Sequence, residues 1–121
     1  MKKTLIILLP ILISCTILSK NKTGCIENEK FKREFFNQIK YIENNISTRQ
    51  DSLFKNSLIF ISNYTKVSFQ HMMNYSRTYP TGIFKKDKEI WMKWYEENKC
   101  NNIQLKKSYP IPEQYKEFFE Y

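Results

Sequence analysis

The sequence predicts a small all-α domain, three main helices plus one or two short helices, after a cleaved signal peptide. Three observations carry this expectation. Apolar residues recur three and four positions apart in three separate stretches. No stretch alternates apolar and polar residues as a half-buried strand would. There are only two glycines, Gly24 and Gly82, and no alanine, so the core must be built from nine Phe, eight Tyr and two Trp, which are few but large side chains. With 121 residues, the chain has room for one small domain.

The chain opens Met1-Lys2-Lys3 and runs apolar from Thr4 to Leu18, apart from Pro10, Ser14, Cys15 and Thr16. This run is shorter than the ~20 residues a helix needs to cross a bilayer. A basic start and an apolar core of this length are those of a signal peptide. The run contains Leu12-Ile13-Ser14-Cys15, which resembles the lipobox of bacterial lipoproteins. The resemblance implies cleavage before Cys15 and a thioether from its thiol to diacylglycerol. It also implies residence on a bacterial cell membrane or outer membrane, facing an oxidising extracytoplasmic compartment. An ordinary secretion signal and an uncleaved anchor are the alternatives. On the lipoprotein reading, residues 1–14 are the signal peptide, 15–26 a lipidated tether and 27–121 the helical domain. One acyl chain holds a protein only marginally, at ~0.8 kcal/mol per buried methylene, whereas two or three make attachment effectively permanent.

Lipidation of Cys15 leaves Cys25 and Cys100 as an even pair, and a disulfide between them is expected in an oxidising compartment. Two unconnected buried thiols are the alternative.

The first helix is expected from Glu27 to Asn45, because Phe31, Phe35, Ile39, Ile42 and Ile46 form one stripe. Ser47, with Gln50 three residues on, suits a capping box for a second helix to Tyr64. Leu53, Phe54, Leu58, Ile59, Phe60, Ile61 and Tyr64 cover more than one face of it, which predicts a central position. Val67, Phe69, Met72, Met73 and Tyr75 can extend a helix as far as Tyr75, and Arg77 to Gly82 reads as a loop. Asp87 is the expected cap of a third helix through Lys99, with Ile90, Trp91, Trp94 and Tyr95 as its apolar face. Pro110-Ile111-Pro112 opens a last short helix docked by Tyr115, Phe118 and Phe119.

Two stretches carry a second resemblance: Leu58 to Val67, and Trp91-Met92-Lys93-Trp94-Tyr95-Glu96-Glu97-Asn98-Lys99. Together they are similar to small helical bacterial proteins with a Trp-x-x-Trp helix, many of them lipoproteins or candidate immunity proteins. Lys66 and Val67 stand where that pattern has Gly and Ile. The resemblance implies a helical fold and brings no activity with it.

Chemistry-bearing motifs are sparse. His71 is the only histidine, and neither Cys-x-x-Cys nor His-Glu-x-x-His occurs, so no metal site or cofactor is expected. Two glycines 58 positions apart cannot form a phosphate-binding loop. No serine lies in Gly-x-Ser-x-Gly, and no catalytic residue is assigned. The balance of 20 Lys+Arg to 12 Asp+Glu gives a net charge of +8. Lys85, Lys86, Lys88, Lys106 and Lys107 would form an anion-binding patch if folding brought them together beside Phe84, Trp91 and Tyr109. The bland alternative is a solvated lysine-rich face. The expected partners are the membrane, through the lipid on Cys15, and an envelope protein or a toxin, as for an immunity protein. Nucleic acid is not expected. Binding of anionic lipid or envelope polymer by the lysines is the second functional class, and an unrecognised hydrolase the third.

Overall fold

The structure is a computed structural model that describes residues 25–48, 50–72 and 78–119. The expected signal peptide, Cys15 and most of the tether lie outside the described residues, as do Met73, Tyr75 and Arg77. Among the described residues the domain has three α-helices and two 3-10 turns: α1 Glu29–Asn44, α2 Ser52–Ser62, a turn at Phe69–His71, α3 Thr81–Asn98 and a turn at Glu113–Phe118. No strand occurs among the described residues. The all-α expectation holds.

α1 forms where its stripe predicts, with Phe31, Phe35, Ile39 and Ile42 buried. Asn28 is its cap, accepting from the Phe31 amide at 3.1 Å. The Asn28 side-chain amide also donates to the Ile103 carbonyl at 2.9 Å, so one residue both starts the helix and ties down a distant segment.

α2 starts later than expected. Ser47 sits in the turn after α1, and Asp51 is the cap, accepting from the Phe54 amide at 2.8 Å. Gln50 is not a capping-box partner; its amide nitrogen is buried without a hydrogen-bond partner among the described residues. Phe54, Ser57, Leu58, Phe60, Ile61 and Ser62 are all buried, which fits a central helix. Leu53 is not part of that core and is 62% exposed. The helix ends at Ser62 rather than running on to Tyr75. The Tyr64 and Thr65 amides both bond back to the Ile61 carbonyl, closing the last turn.

α3 starts six residues before the expected cap. Pro80 takes the N-cap position, with φ −57° and ψ 130°, and Thr81 and Gly82, the end of the segment read as a Pro/Gly loop, open the helix. Its inner stripe is Phe84, Asp87, Trp91 and Tyr95, all buried, while Ile90 turns outward. Asp87 is therefore no cap but a buried carboxylate, 2% exposed. It accepts from the Ser68 amide at 3.0 Å, from the Ser68 hydroxyl at 2.7 Å and from the Tyr79 hydroxyl. Beside it, the Trp91 indole donates to the Lys66 carbonyl at 2.6 Å. These bonds fasten the irregular 66–72 segment onto α3.

α1 and α3 run antiparallel. Lys88 pairs with Glu43 near the end of α1, whereas Cys100, just past α3, bonds to Cys25, just before α1. The expected disulfide is present, with Cα atoms 5.0 Å apart. Aromatic rings fill the space between the helices. Phe31, Phe35, Trp94 and Tyr95 pack in stacked and tilted pairs at one end, and Phe54, Tyr79, Phe84 and Trp91 meet edge-on at the other. Each ring so buried contributes roughly 1.5–3 kcal/mol, which lets a small domain do without many residues. The last turn docks as predicted. Tyr115 packs on Phe69 with ring centroids 4.7 Å apart, and its hydroxyl accepts from the Val67 amide.

Three phenols are held neutral. Burial pushes Tyr79, Tyr95 and Tyr64 well above the ordinary tyrosine value, reinforced by bonds to Asp87, Glu27 and Tyr109 respectively. The sign follows directly. Below about pH 10 the phenols are protonated in both folded and unfolded chains, so their stabilisation is complete there. Above it the unfolded chain releases protons that the folded chain retains, and stability falls as pH rises. The melting temperature is therefore expected to drop above pH 10, with these tyrosinates absorbing near 295 nm only as the fold melts. Titration of all eight tyrosines near the ordinary value, with circular dichroism unchanged, would contradict this.

Candidate functional site

Among the described residues, an open groove of about 680 Å³ lies on the side of the domain where α1 and α2 meet. Its α1 wall is Glu34, Asn37, Gln38 and Tyr41, which share one helical face by their spacing of three and four. Its α2 wall is Leu53, Asn56, Ser57 and Phe60, spaced the same way, with Ile59 beside them. The strap of residues 103–112 supplies Leu105, Lys106 and Tyr109. Phe60 and Ser57 are buried and form the floor, whereas Leu53, Asn37 and Asn56 stand exposed at the rim.

A small network holds the strap in place. Tyr64 donates to the Gln104 carbonyl at 3.1 Å, so its only hydroxyl hydrogen is committed. Tyr109, 2.8 Å away, must then be the donor to Tyr64, while it accepts from the Lys106 amide at 2.9 Å. The Tyr109 ring lies 4.7 Å from that of Phe60, and Asn63 donates to the Pro110 carbonyl. The Lys106 ammonium donates to the Asn63 carbonyl and sits 5.3 Å from the centre of the Tyr64 ring. On the α1 wall, Gln38 donates to Glu34 at 2.7 Å. The groove is thus apolar at its floor and amide-rich at its rim, and Glu34 is the only carboxylate that lines it.

Comparison with protein-family models, with curated proteins and with solved structures finds no match. What can be said of this chain comes from its own residues.

The structure distributes the residues singled out by sequence unevenly. Cys25 and Cys100 are together. Cys15 lies outside the described residues. The five lysines are divided. Lys85 and Lys88 border a shallow hollow with Glu89 and Met92 near the start of α3, and Lys88 is occupied by Glu43. Lys106 borders the α1–α2 groove, which shares no residue with that hollow. Lys86 and Lys107 are exposed. The aromatic edges expected for a single patch face elsewhere, since Phe84 and Trp91 are buried and only Tyr109 borders the groove. His71 is exposed at the end of its 3-10 turn. Among the described residues, no group of three or more His, Cys, Asp or Glu is placed to hold a metal ion, and no helix is long and apolar enough to cross a membrane.

Sequence reading missed the groove. Its walls are the polar flanks of two helices whose apolar stripes drew attention to the opposite side. The one available signal was Leu53, an apolar residue off the buried face of α2.

Three contacts gather where the chain enters the domain. Cys25 bonds to Cys100, Glu27 accepts from the Tyr95 hydroxyl at 2.9 Å, and Asn28 donates to Ile103. The bond from Tyr95, with Lys32 and Lys99 nearby, holds the Glu27 carboxyl below the usual carboxylate value against the opposing effect of burial. Any pull on residues before Cys25 is thereby passed to the end of α3 as well as to the start of α1.

Proposed function

We propose that this chain is a lipid-anchored, non-enzymatic binding protein of a bacterial envelope. Cys15 carries the anchor, and the helical domain meets another envelope protein or a toxin, in the manner of an immunity protein. The observation that carries this reading is the Cys25–Cys100 disulfide. A disulfide persists in an oxidising, extracytoplasmic compartment, which is where a lipobox delivers a chain. The open α1–α2 groove supports binding as the mode of action. Asp87, the one buried charged residue of the described core, is engaged by Ser68 and Tyr79 and is not presented to a substrate. The division of the lysines counts against the runner-up, a single anion-binding patch.

Two measurements test the proposal. Cys15→Ser should abolish incorporation of a labelled fatty acid and release the protein from the membrane fraction. Unchanged labelling would end the anchoring claim. Photo-crosslinking from exposed domain positions in intact cells should trap a specific protein. Crosslinks to lipid alone would end the binding claim.

A further inference from the structure

From the shape and charge of the α1–α2 groove we infer its occupant: an acidic, amphipathic helix of the partner protein. This rests on the protein-binding reading above. Each wall spans two helical turns, Glu34 to Tyr41 and Leu53 to Phe60, or about 11 Å at 1.5 Å per residue. That length suits two to three turns of a guest helix whose apolar residues fall at i, i+3 or i+4, and i+7. An extended guest fits poorly. Strand addition needs a free sheet edge, and helical walls use their backbone groups internally. Apolar guest residues would meet Leu53, Phe60, Leu105 and Tyr109.

Charge decides between kinds of helix. Lys30 lies on the face of Glu34, one turn before it, and Arg33 and Lys40 lie on the adjoining row of α1. On the strap side Lys106 lines the groove, and Lys107 follows it in the chain, exposed. None of these five cations is in an ion pair among the described residues. α2 carries no carboxylate at all, and Glu34 is the single negative charge set against these five cations among the residues lining the groove. The margins of the groove therefore carry an excess of positive charge, on the α1 side and on the strap side. A second copy of this chain, with a net charge of +8, would bring like charge to that surface. An acidic helix would neutralise it, and long-range attraction would speed its arrival.

The test is a selection of random 16-residue displayed peptides on the full chain held in phosphatidylcholine nanodiscs. Enriched peptides are then titrated onto the wild type and onto Leu53→Glu/Asn56→Glu. Both positions are exposed, and circular dichroism checks that the variant folds. The inference expects Asp/Glu-rich peptides with helical apolar spacing that gain helicity on binding. Affinity should fall at least tenfold in the double variant and with a rise from 50 to 300 mM salt. It should stay within twofold in Lys85→Glu/Lys86→Glu, since neither residue lines the groove. Enrichment of basic or extended peptides, no enrichment, or affinity indifferent to Leu53→Glu/Asn56→Glu would overturn it. So would self-association, or binding to phosphatidylglycerol vesicles, that the same substitutions abolish. A crosslinked partner whose capture survives those substitutions would sink the groove and leave the protein-binding reading standing. Retained lipid labelling in Cys15→Ser would sink the anchor and leave the groove.

Discussion

Cys25→Ser/Cys100→Ser is expected to lower the unfolding free energy by about 4 kcal/mol, the chain-entropy value for a bridge that closes a 75-residue loop. For a domain of this size that is a large share of the whole, since net stabilities run at ~5–15 kcal/mol. The loop includes all of α1, α2 and α3, so its closure restricts most of the helical domain in the unfolded chain. The effect should appear as a lower urea midpoint, and reduction of the wild type should reproduce it. The loss is also expected to be local. Without the bridge, residues 25–28 are tied to the chain beyond α1 by the part-buried Glu27–Tyr95 and Asn28–Ile103 bonds. Amide exchange should therefore rise first in α1's opening turn and around Ile103. A double variant with the wild-type midpoint would show that the two thiols are not bonded in the folded protein.

Asp87→Ala is expected to cost about 3–4 kcal/mol, because it strands several donors in a dry site and each buried unsatisfied group costs ~1–3 kcal/mol. The donors are the Ser68 amide, the Ser68 hydroxyl and the Tyr79 hydroxyl. Asp87→Asn should be milder, since its carbonyl oxygen can accept from the Ser68 amide and the Tyr79 hydroxyl while its NH2 donates to the Ser68 hydroxyl. Tyr79→Phe removes one donor and should cost only about 1 kcal/mol. In the Asp87→Ala background it should cost less still, because the phenol has already lost its acceptor. Urea unfolding of the four proteins measures the cycle. Additive losses would mean that Asp87 and Tyr79 act independently. An Asp87→Ala loss under about 0.5 kcal/mol would remove this carboxylate from the account of how the 66–72 segment is held.

Asp87 also shows where sequence reading goes astray. A polar residue before an apolar run is a good cap candidate, and Lys85-Lys86-Asp87-Lys88 looks like solvent-facing chain. Yet Phe84, Asp87, Trp91 and Tyr95 follow the three-and-four spacing of one stripe, with the acid occupying a core position. Only the arrival of Ser68 and Tyr79 from outside α3 makes that position tenable for a carboxylate. Ser47 and Asp51 tell a similar story. Both are good cap residues four positions apart, and the choice between them depends on the path the chain takes out of α1. Local propensity cannot rank them. The α1 stripe, the docking of Tyr115 and the pairing of the cysteines were legible because each follows from spacing or count within the sequence.

By itself the sequence determined the all-α class, the inward face of α1, the aromatic composition of the core and the even pair Cys25 and Cys100. These depend on periodicity and arithmetic, which need no knowledge of how elements meet. Tertiary structure alone decided that Asp87 is buried, that Lys85 and Lys88 border one hollow and Lys106 another, and that a groove opens between α1 and α2. The physical reason is that a helix's polar flank has no preferred neighbour of its own. Whether it ends as solvated surface, as a buried anchor or as the wall of a groove is set by which other element packs beside it. Here that element is the 103–112 strap, pinned by Tyr64, Tyr109 and Asn63 to the end of α2.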